Sequence, residues 1–171
     1  DLSDALKDAS LHDPLTGLGN RRFLMERLSE ETERSKRTGS FYSVGVLDVD
    51  CFKSVNDRFG HESGDKVLCE IAQAIQSAVR EYDLCGRWGG EEFLILLPET
   101  TLESAAQVAE RVRREIKNIV VDLPEQGRLT VSASLGVTLH QAGEGFSTTL
   151  NRADIALLRA KAAGRDRIEL A

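Results

Sequence analysis

The sequence is short of several residue types that mark particular protein classes. Three cysteines occur, Cys51, Cys69 and Cys85, and no two of them form a CxxC pair. This low, odd number argues against a disulfide-stapled secreted domain and favours a reduced, cytoplasmic location. There is also no signal peptide and no apolar run near the roughly 20 residues that cross a bilayer. The chain begins at Asp1 without an initiator methionine, so we expect a piece of a longer protein. A membrane segment upstream stays an open alternative.

An excess of positive charge is missing as well. The 171 residues carry a formal net charge of -6 and the pI is about 5.2, which argues against a nucleic-acid polymer or a membrane surface as a direct partner. Hydrophobic residues make up 41% of the chain and charged residues 29%, so we expect one folded domain with a real core. A small anionic nucleotide remains compatible with local clusters of Lys and Arg.

Apolar periodicity and chain-breaking residues divide the sequence into helices and strands. In the first segment Leu2, Ala5, Leu6 and Ala9 repeat every three or four residues and predict a helix within 1–12. Further helices are predicted over 21–38, between Asn20 as N-cap and Gly39 as stop, and over 52–58, 65–81, 102–120 and 149–163. A turn is predicted over 60–64, and strands over 41–49, 83–88, 92–97, 129–139 and 167–170.

The central order of these elements is β-α-β-β-α-β. Right-handed crossovers convert this order into a ferredoxin-like antiparallel sheet of the α+β class, packed by helices on one face and joined by additional flanking helices. With the four central strands numbered in chain order, we expect the spatial order 4-1-3-2. The C-terminal end of the first strand and the hairpin between the second and third then share one edge, where we expect the chemistry.

Two acidic segments meet at that edge. The first strand ends at Asp48, and the hairpin carries Glu91 directly after the turn residues Gly89 and Gly90. Converging carboxylates suit Mg²⁺ or Mn²⁺, which prefer oxygen ligands and complete their shell with water and phosphate. Taken singly, Asp48 is better explained as a helix cap and Glu91 as a solvated turn residue. Together, beside a double glycine, they favour a metal site.

Four sequence blocks give the chain a family resemblance. The segment RWGGEEF at 87–93 resembles the signature of the GGDEF family in its GGEEF form. Three further blocks agree in order and spacing: DPLTGLGNRR at 13–22, DVDCFKSVNDRFGHESGD at 48–65 and AKAAGR at 160–165. The resemblance implies a diguanylate cyclase domain over 13–171, on a sheet similar to that of nucleotidyl cyclases and polymerase palms, preceded by the end of an upstream signalling helix over 1–12.

The resemblance also implies roles for the acidic edge. Asp48, Glu91 and the Val49 carbonyl would be metal ligands, two Mg²⁺ (or Mn²⁺) ions serving each half-site. Glu92 would coordinate metal or help to deprotonate the ribose 3′-hydroxyl. Lys161 completes the implied catalytic group of Asp48, Glu91 and Glu92.

The implied GTP contacts lie on both sides of that group. Asn56 and Asp65 would read the guanine edge, since carboxylate and amide groups together match its donors and acceptors. Lys161 and Arg165, predicted one helical turn apart, would meet phosphate oxygens. The remaining implied phosphate contacts are the backbone N–H groups of Cys51 and Phe52 and the side chain of Lys53.

The pair Arg80 and Asp83 forms an RxxD motif shortly before the hairpin. The resemblance implies that this pair binds the product, cyclic di-GMP, as an inhibitor. The alternative is an i,i+3 ion pair at a helix end, which contributes little to stability when exposed.

The implied reaction joins two GTP molecules into cyclic di-GMP, so two copies of the domain must face each other as a homodimer, controlled by an upstream sensor domain. Three positions depart from the family pattern: Glu91 replaces an Asp, Leu158 stands where Tyr is often seen, and Asp166 where Asn is. Two other functions remain open: a catalytically silent cyclic di-GMP sensor, and a cyclase for another purine nucleotide. The complete metal and guanine sets argue against both.

Overall fold

The computed structural model describes the backbone of residues 1–171 and the side chains of residues 1–6 and 10–171. The helices and strands follow along the chain in the order α1 (Leu2–Leu11), α2 (Arg21–Thr38), β1 (Tyr42–Val49), α3 (Phe52–Phe59), α4 (His61–Ala78), β2 (Leu84–Gly89), β3 (Glu92–Pro98), α5 (Leu102–Lys117), β4 (Val121–Leu123), β5 (Gly127–Leu129), β6 (Ala133–Leu139), α6 (Phe146–Ala162) and β7 (Ile168–Leu170). None of the described helices is long and apolar enough to cross a membrane.

The two N-terminal helices follow their sequence signals. The helix predicted within 1–12 is α1, although the side chain of Ala9 lies outside the described ones. Asn20 caps α2 by accepting a hydrogen bond from Phe23 N at 3.0 Å. Gly39 ends α2 in the left-handed region, with φ of 73°, where a residue without Cβ is unstrained. Both predicted caps are confirmed.

A five-stranded sheet forms the centre of the molecule, in the order β2-β3-β1-β6-β7. The expected order of the four central strands is confirmed. β1 pairs antiparallel with both β3 and β6, while β7 extends the sheet by pairing parallel to β6. The C-terminal end of β1 therefore lies beside the β2–β3 hairpin.

The prediction that helices cover one face of the sheet is wrong, because both faces are covered. Leu47 and Val49 pack into a core with α4 and α5, whereas Val44 and Val46 pack into a second core with α2 and α6. Every residue of β1 is consequently buried. A strand buried on both faces shows little apolar alternation, so its sequence did not reveal the second layer.

Several boundaries also differ from the prediction. Gly60 alone, with φ of 93°, separates α3 from α4, so the predicted turn over 60–64 is wrong and the helix begins at His61. α4 ends at Ala78 because the Asp83 carboxylate accepts the backbone N–H of Arg80, at 2.9 Å, and offers that segment an alternative to helix.

The strand predicted over 129–139 is interrupted. β5 ends at Leu129 and β6 begins at Ala133; between them, the Ser132 carbonyl accepts a hydrogen bond from Asp50 N at 2.9 Å. β4 and β5 form a separate short hairpin, which sequence analysis missed.

Candidate active site

The acidic edge forms where β1 ends beside the β2–β3 hairpin. Asp48 lies directly opposite Glu92 in the β1–β3 register, and Val49 N donates to the Glu91 carbonyl at 3.2 Å. The tight turn is made by Gly90, with φ of 47°, and Glu91, while Gly89 is still paired in β2. The antiparallel topology thus brings Asp48 and the two glutamates together, as expected from the order of strands.

Charge repulsion accumulates in this cluster. Burial raises the pKa of Asp48; contact with the Lys161 ammonium group on α6 opposes the rise, and the negative charges of Glu91 and Asp50 add to it. Burial also raises the pKa of Glu92, again helped by the charge of Asp48. Contact with Lys161 therefore does not offset the burial and negative charge that disfavour the ionised forms of Asp48 and Glu92.

A divalent metal ion would relieve that repulsion. In the described part of the chain no three acidic, histidine or cysteine side chains already form a metal-binding cluster. The donor set that fits is smaller: the carboxylates of Asp48 and Glu91 with the Val49 carbonyl. Mg²⁺ commonly takes one or two protein carboxylates and fills its remaining positions with water and phosphate oxygens, so these residues fit such an ion.

The two predicted guanine-reading residues lie on consecutive helices. Asn56 is on α3 and Asp65 is exposed in the first half of α4, with Gly60 making the bend between the helices. The Oδ1 atom of Asn56 is buried without a hydrogen-bond partner among the described residues. A Cβ atom at Gly64 would overlap this oxygen, so the missing side chain at Gly64 makes room for the Asn56 amide.

The predicted phosphate contacts are arranged around the start of α3. Cys51 adopts a left-handed conformation there, with φ of 55°, and no side chain caps the first turn, which leaves helix N-terminal N–H groups available to an anion. Phe52 opens the helix, and Lys53 is exposed beside it.

One geometric prediction for the phosphate contacts is wrong. Lys161 and Arg165 do not lie one turn apart on a helix face, because α6 ends at Ala162. Arg165 lies beyond it with φ of 63°, its backbone N–H donating to the Ala160 carbonyl at 3.0 Å. A spacing of four residues therefore does not place these two side chains on one helix face.

The RxxD pair lies away from the acidic edge, in a cleft of about 400 Å³. Arg80 binds the Asp83 carboxylate through Nε at 2.8 Å and Nη2 at 3.0 Å, and also donates to Thr100 Oγ1 at 2.6 Å. The Asp83 side chain has 0% exposure. The ion pair expected as the alternative to a ligand site is therefore present, and Arg80 already contacts both carboxylate oxygens that a ligand would read.

Sequence analysis assigned no role to three charged residues beside the acidic edge. Arg87 links the Asp13 carboxylate, 3.3 Å from Nη1, to the Gly90 carbonyl, 2.8 Å from Nε. Asp154 on α6 adds its negative charge to the environment of Glu92. Its spacing from Lys161, two helical turns, was a signal that placed both on one face.

The third of these residues is Asp50. It follows Asp48 by two residues and is buried, but among the described residues the donors to its carboxylate are all far away in sequence. No local pattern in the sequence identifies such partners.

Comparison with known proteins agrees with this geometry. The family model described as "Diguanylate cyclase, GGDEF domain" matches residues 10–167. Diguanylate cyclase DgcP of Pseudomonas aeruginosa is 45% identical over 96% of this chain and 24% of its own length, and DgcM of Escherichia coli K12 is 40% identical over 98% and 40%. The chain therefore spans about a quarter to two fifths of these curated relatives.

Solved structures show the same fold. Diguanylate cyclase SiaD of Pseudomonas aeruginosa, crystallised with its activator SiaC, is 59% identical, with a TM-score of 0.93 over 100% of this chain and 65% of that one. The coiled coil and GGDEF domain of DgcB from Caulobacter crescentus, in complex with c-di-GMP, is 27% identical with a TM-score of 0.95 over 99% and 90%. With its acidic edge and matching fold, this chain belongs to the GGDEF family of diguanylate cyclase domains.

Proposed function

We propose that this domain, in its GGEEF form, condenses two GTP molecules into cyclic di-GMP and two pyrophosphates. The observation that carries the proposal is the meeting of Asp48, Glu91 and Glu92 at one sheet edge, beside Lys161 and the open N-terminus of α3. Carboxylates that repel each other in the absence of ligand are suited to binding cations together with a triphosphate.

The chain's own residues would mainly position GTP. Asn56 and Asp65 would hold the guanine edge, while the first N–H groups of α3, Lys53, Lys161 and Arg165 would hold phosphate oxygens. Two Mg²⁺ or Mn²⁺ ions bound by Asp48, Glu91 and the Val49 carbonyl, with Glu92 beside them, would supply activation of the attacking hydroxyl and neutralise the leaving pyrophosphate.

In each half-reaction the ribose 3′-oxygen of one GTP forms a bond to the α-phosphorus of the other, and the bond from that phosphorus to pyrophosphate breaks. Glu92 is the group we assign to accept the proton of the hydroxyl, since its raised pKa favours the protonated form more than in a free glutamate. The positive side chains Lys161 and Arg165 would balance the charge on the leaving group.

One domain holds one GTP in this scheme, so catalysis requires an antiparallel homodimer. We propose that residues 1–12 end an upstream signalling helix and residues 13–171 form the catalytic domain. Leu2 and Leu6 on α1 are 78% and 62% exposed, which suits a helix that packs against a partner. An upstream sensor domain, or an activator protein comparable to the SiaC that activates SiaD, would act through this helix.

The free thiols of all three cysteines suit a cytoplasmic location.

We also propose product inhibition at Arg80 and Asp83. Cyclic di-GMP would replace Arg80 as the partner of Asp83, with the freed guanidinium binding guanine or phosphate. Arg80→Ala should abolish inhibition by added cyclic di-GMP and leave the initial rate intact, in an assay of pyrophosphate release. An unchanged inhibition constant in a folded variant would refute the assignment.

The main test is GTP turnover with Mg²⁺ by the domain fused to a dimeric coiled coil, with cyclic di-GMP measured by chromatography. Product formation from GTP and not from ATP supports the proposal. If the fused dimer binds cyclic di-GMP and forms none from GTP, the sensor function replaces it.

A further inference from the structure

Asp50 makes an unusual set of contacts for a buried carboxylate. It accepts hydrogen bonds from Ser132 Oγ and Ser134 Oγ, both at 2.7 Å, and from Asp166 N at 3.0 Å. Among the described residues no basic side chain forms an ion pair with it. Although Asp48 and Asp50 are spaced like two metal ligands, these three donors take three of the roughly four lone-pair sites of the Asp50 carboxylate.

The donor Asp166 lies in a segment of unusual backbone conformation. Gly164, Arg165 and Asp166 have φ of 124°, 63° and 49°, and left-handed conformations are unfavourable for residues that carry a Cβ. Two consecutive non-glycine residues of this kind persist only where the surrounding structure holds them in place.

Three groups of contacts hold this segment. Arg165 N donates to the Ala160 carbonyl at 3.0 Å, which ties the segment to the last turn of α6. The Asp166 carboxylate lies 2.8 Å from Arg113 and 3.2 Å from Lys117, both on α5. Asp166 N is held by Asp50, which fixes the segment to β1 and β6. Arg165 is therefore fixed by its own backbone bond and by the anchors of its neighbour, while its side chain stays exposed.

We propose that Asp50 is a positioning residue for substrate binding: through Asp166 N it holds the left-handed segment that presents Arg165 to the phosphates of GTP. The inference rests on the proposed function, which gives Arg165 its ligand. It separates the two acids of the strand end by role, Asp48 facing the metal and Asp50 holding a distant loop. The hydrogen bonds of Asp50 to Ser132, Ser134 and Asp166 form a clamp. This clamp joins β1, β6 and the loop after α6 into one rigid support for the phosphate contact.

The test compares Asp50→Asn and Arg165→Ala singly and combined. The asparagine keeps the size of Asp50. Its NH₂ group, however, replaces a carboxylate oxygen that accepted a hydrogen bond, so at least one of the three donors loses its acceptor. We expect Asp50→Asn to raise KM for GTP about tenfold, the loss expected for one charge-assisted contact, with kcat within about twofold. Because Asp50 acts through Arg165, adding Asp50→Asn to Arg165→Ala should raise KM no further.

The same variants should be compared by the Kd for a GTP analogue with a methylene group between the α- and β-phosphorus atoms, measured by calorimetry. This readout separates the two proposals: a wild-type domain that makes no cyclic di-GMP sinks the proposed function, while the Kd series still decides the role of Asp50. Effects that multiply in the double variant, or an unchanged Kd in folded Asp50→Asn, would overturn the clamp.

Glu144→Gln is the matched control, since Glu144 is also a carboxylate held by several hydrogen bonds, but at the opposite end of the sheet. It should lower thermal stability and leave the Kd unchanged. Where Asp50→Asn does not fold, Ser134→Ala removes one of the three donors and should raise the Kd about two- to threefold, scaled down from the tenfold effect above. An unchanged Kd in that variant also counts against the clamp.

Discussion

The polar groups at the two ends of strand β1 lie in opposite electrostatic environments: they are hydrogen-bonded partners at the N-terminal end and repelling carboxylates at the C-terminal end. At the N-terminal end, the Tyr42 hydroxyl shares a hydrogen bond of 2.7 Å with Thr32, and its ring stacks on that of His140 with centroids 4.4 Å apart. His140 Nδ1 in turn lies 2.7 Å from Thr149 Oγ1. At the C-terminal end, Asp48 lies among other carboxylates with one lysine.

The pKa shifts of the carboxylates express the same contrast. Glu144, at the N-terminal end of β1, accepts hydrogen bonds from Arg152, from Gln141 N and from Thr149, and the Arg152 contact lowers its pKa to about 2. The pKa values of Asp48 and Glu92, at the other end, are raised by burial. One end of the strand contributes stability, whereas the other holds carboxylates in an unfavourable environment, the pattern expected of the proposed metal and GTP site.

The largest expected effect comes from removing a carboxylate beside the C-terminal end of β1. Glu91→Gln should lower the rate of cyclic di-GMP formation by at least about 100-fold, because it removes a carboxylate from the proposed metal ligands. Its thermal midpoint should equal or exceed that of the wild type, since a repelling charge is gone. Glu103→Gln, at an exposed position on α5, is the control. Activity near the wild-type level in Glu91→Gln would remove the metal site from the proposal.

The next effect comes from removing the charge of Glu144 near the N-terminal end of β1. Glu144→Gln should lower the free energy of unfolding by about 2–3 kcal/mol, because Arg152 then loses a charged partner in a partly buried site. Urea unfolding at neutral pH measures this change, and Glu115→Gln, exposed on α5, should stay within about 0.5 kcal/mol of the wild type. A loss as small as the control's would mean that the two ends do not differ as described.

A pH series sharpens the contrast. Since the folded-state pKa of Glu144 is lowered, its stabilising contribution is present above the ordinary value of 4.5 and is lost as pH falls through about 2. We expect this group to account for about 1–2 kcal/mol of the stability that the wild type loses over that window, discounted for its position near solvent. The loss should be correspondingly smaller in Glu144→Gln; equal slopes in the two proteins would contradict the assignment.

The smallest effect is a rise in the free energy of unfolding when a charge near the C-terminal end of β1 is removed. Burial raises the pKa of Asp154, and its charge opposes ionisation of Glu92. Asp154→Asn should therefore raise the free energy of unfolding at neutral pH by about 0.5 kcal/mol, because the amide carries no charge. Asp122→Asn, on the separate β4–β5 hairpin, serves as control. A destabilised Asp154→Asn would show that this carboxylate has a stabilising partner.

Much of the fold was predictable because its signals are local. Asn20 and Gly39 marked the ends of α2, and the alternation of strands and helices gave the order of the four central strands. That order in turn was enough to predict that Asp48 lies beside Glu91. The proposed guanine contacts came from the family resemblance, and their roles stay predictions.

The remaining features depend on contacts that the local sequence does not encode. Asp50 finds its three donors 82, 84 and 116 residues further along the chain. The left-handed conformation of Arg165 depends on those contacts as well, so the four-residue spacing of Lys161 and Arg165 did not reveal that the backbone leaves the helix between them. The helices α2 and α6 were predicted, but their packing on a second sheet face was missed because β1, buried on both sides, carries no polar face.

Under the proposed product inhibition, the closed pair of Arg80 and Asp83 would set the product level at which synthesis stops. An inhibitor that binds the Asp83 carboxylate competes with the Arg80 guanidinium. Because Arg80 belongs to the same chain, this competition does not depend on protein concentration. The observed Kd is then the intrinsic one divided by the fraction of molecules in which the pair is open. Substitutions that loosen Arg80 without removing it, such as Thr100→Val, would let synthesis stop at a lower level of second messenger, so a single hydroxyl could tune how much product accumulates.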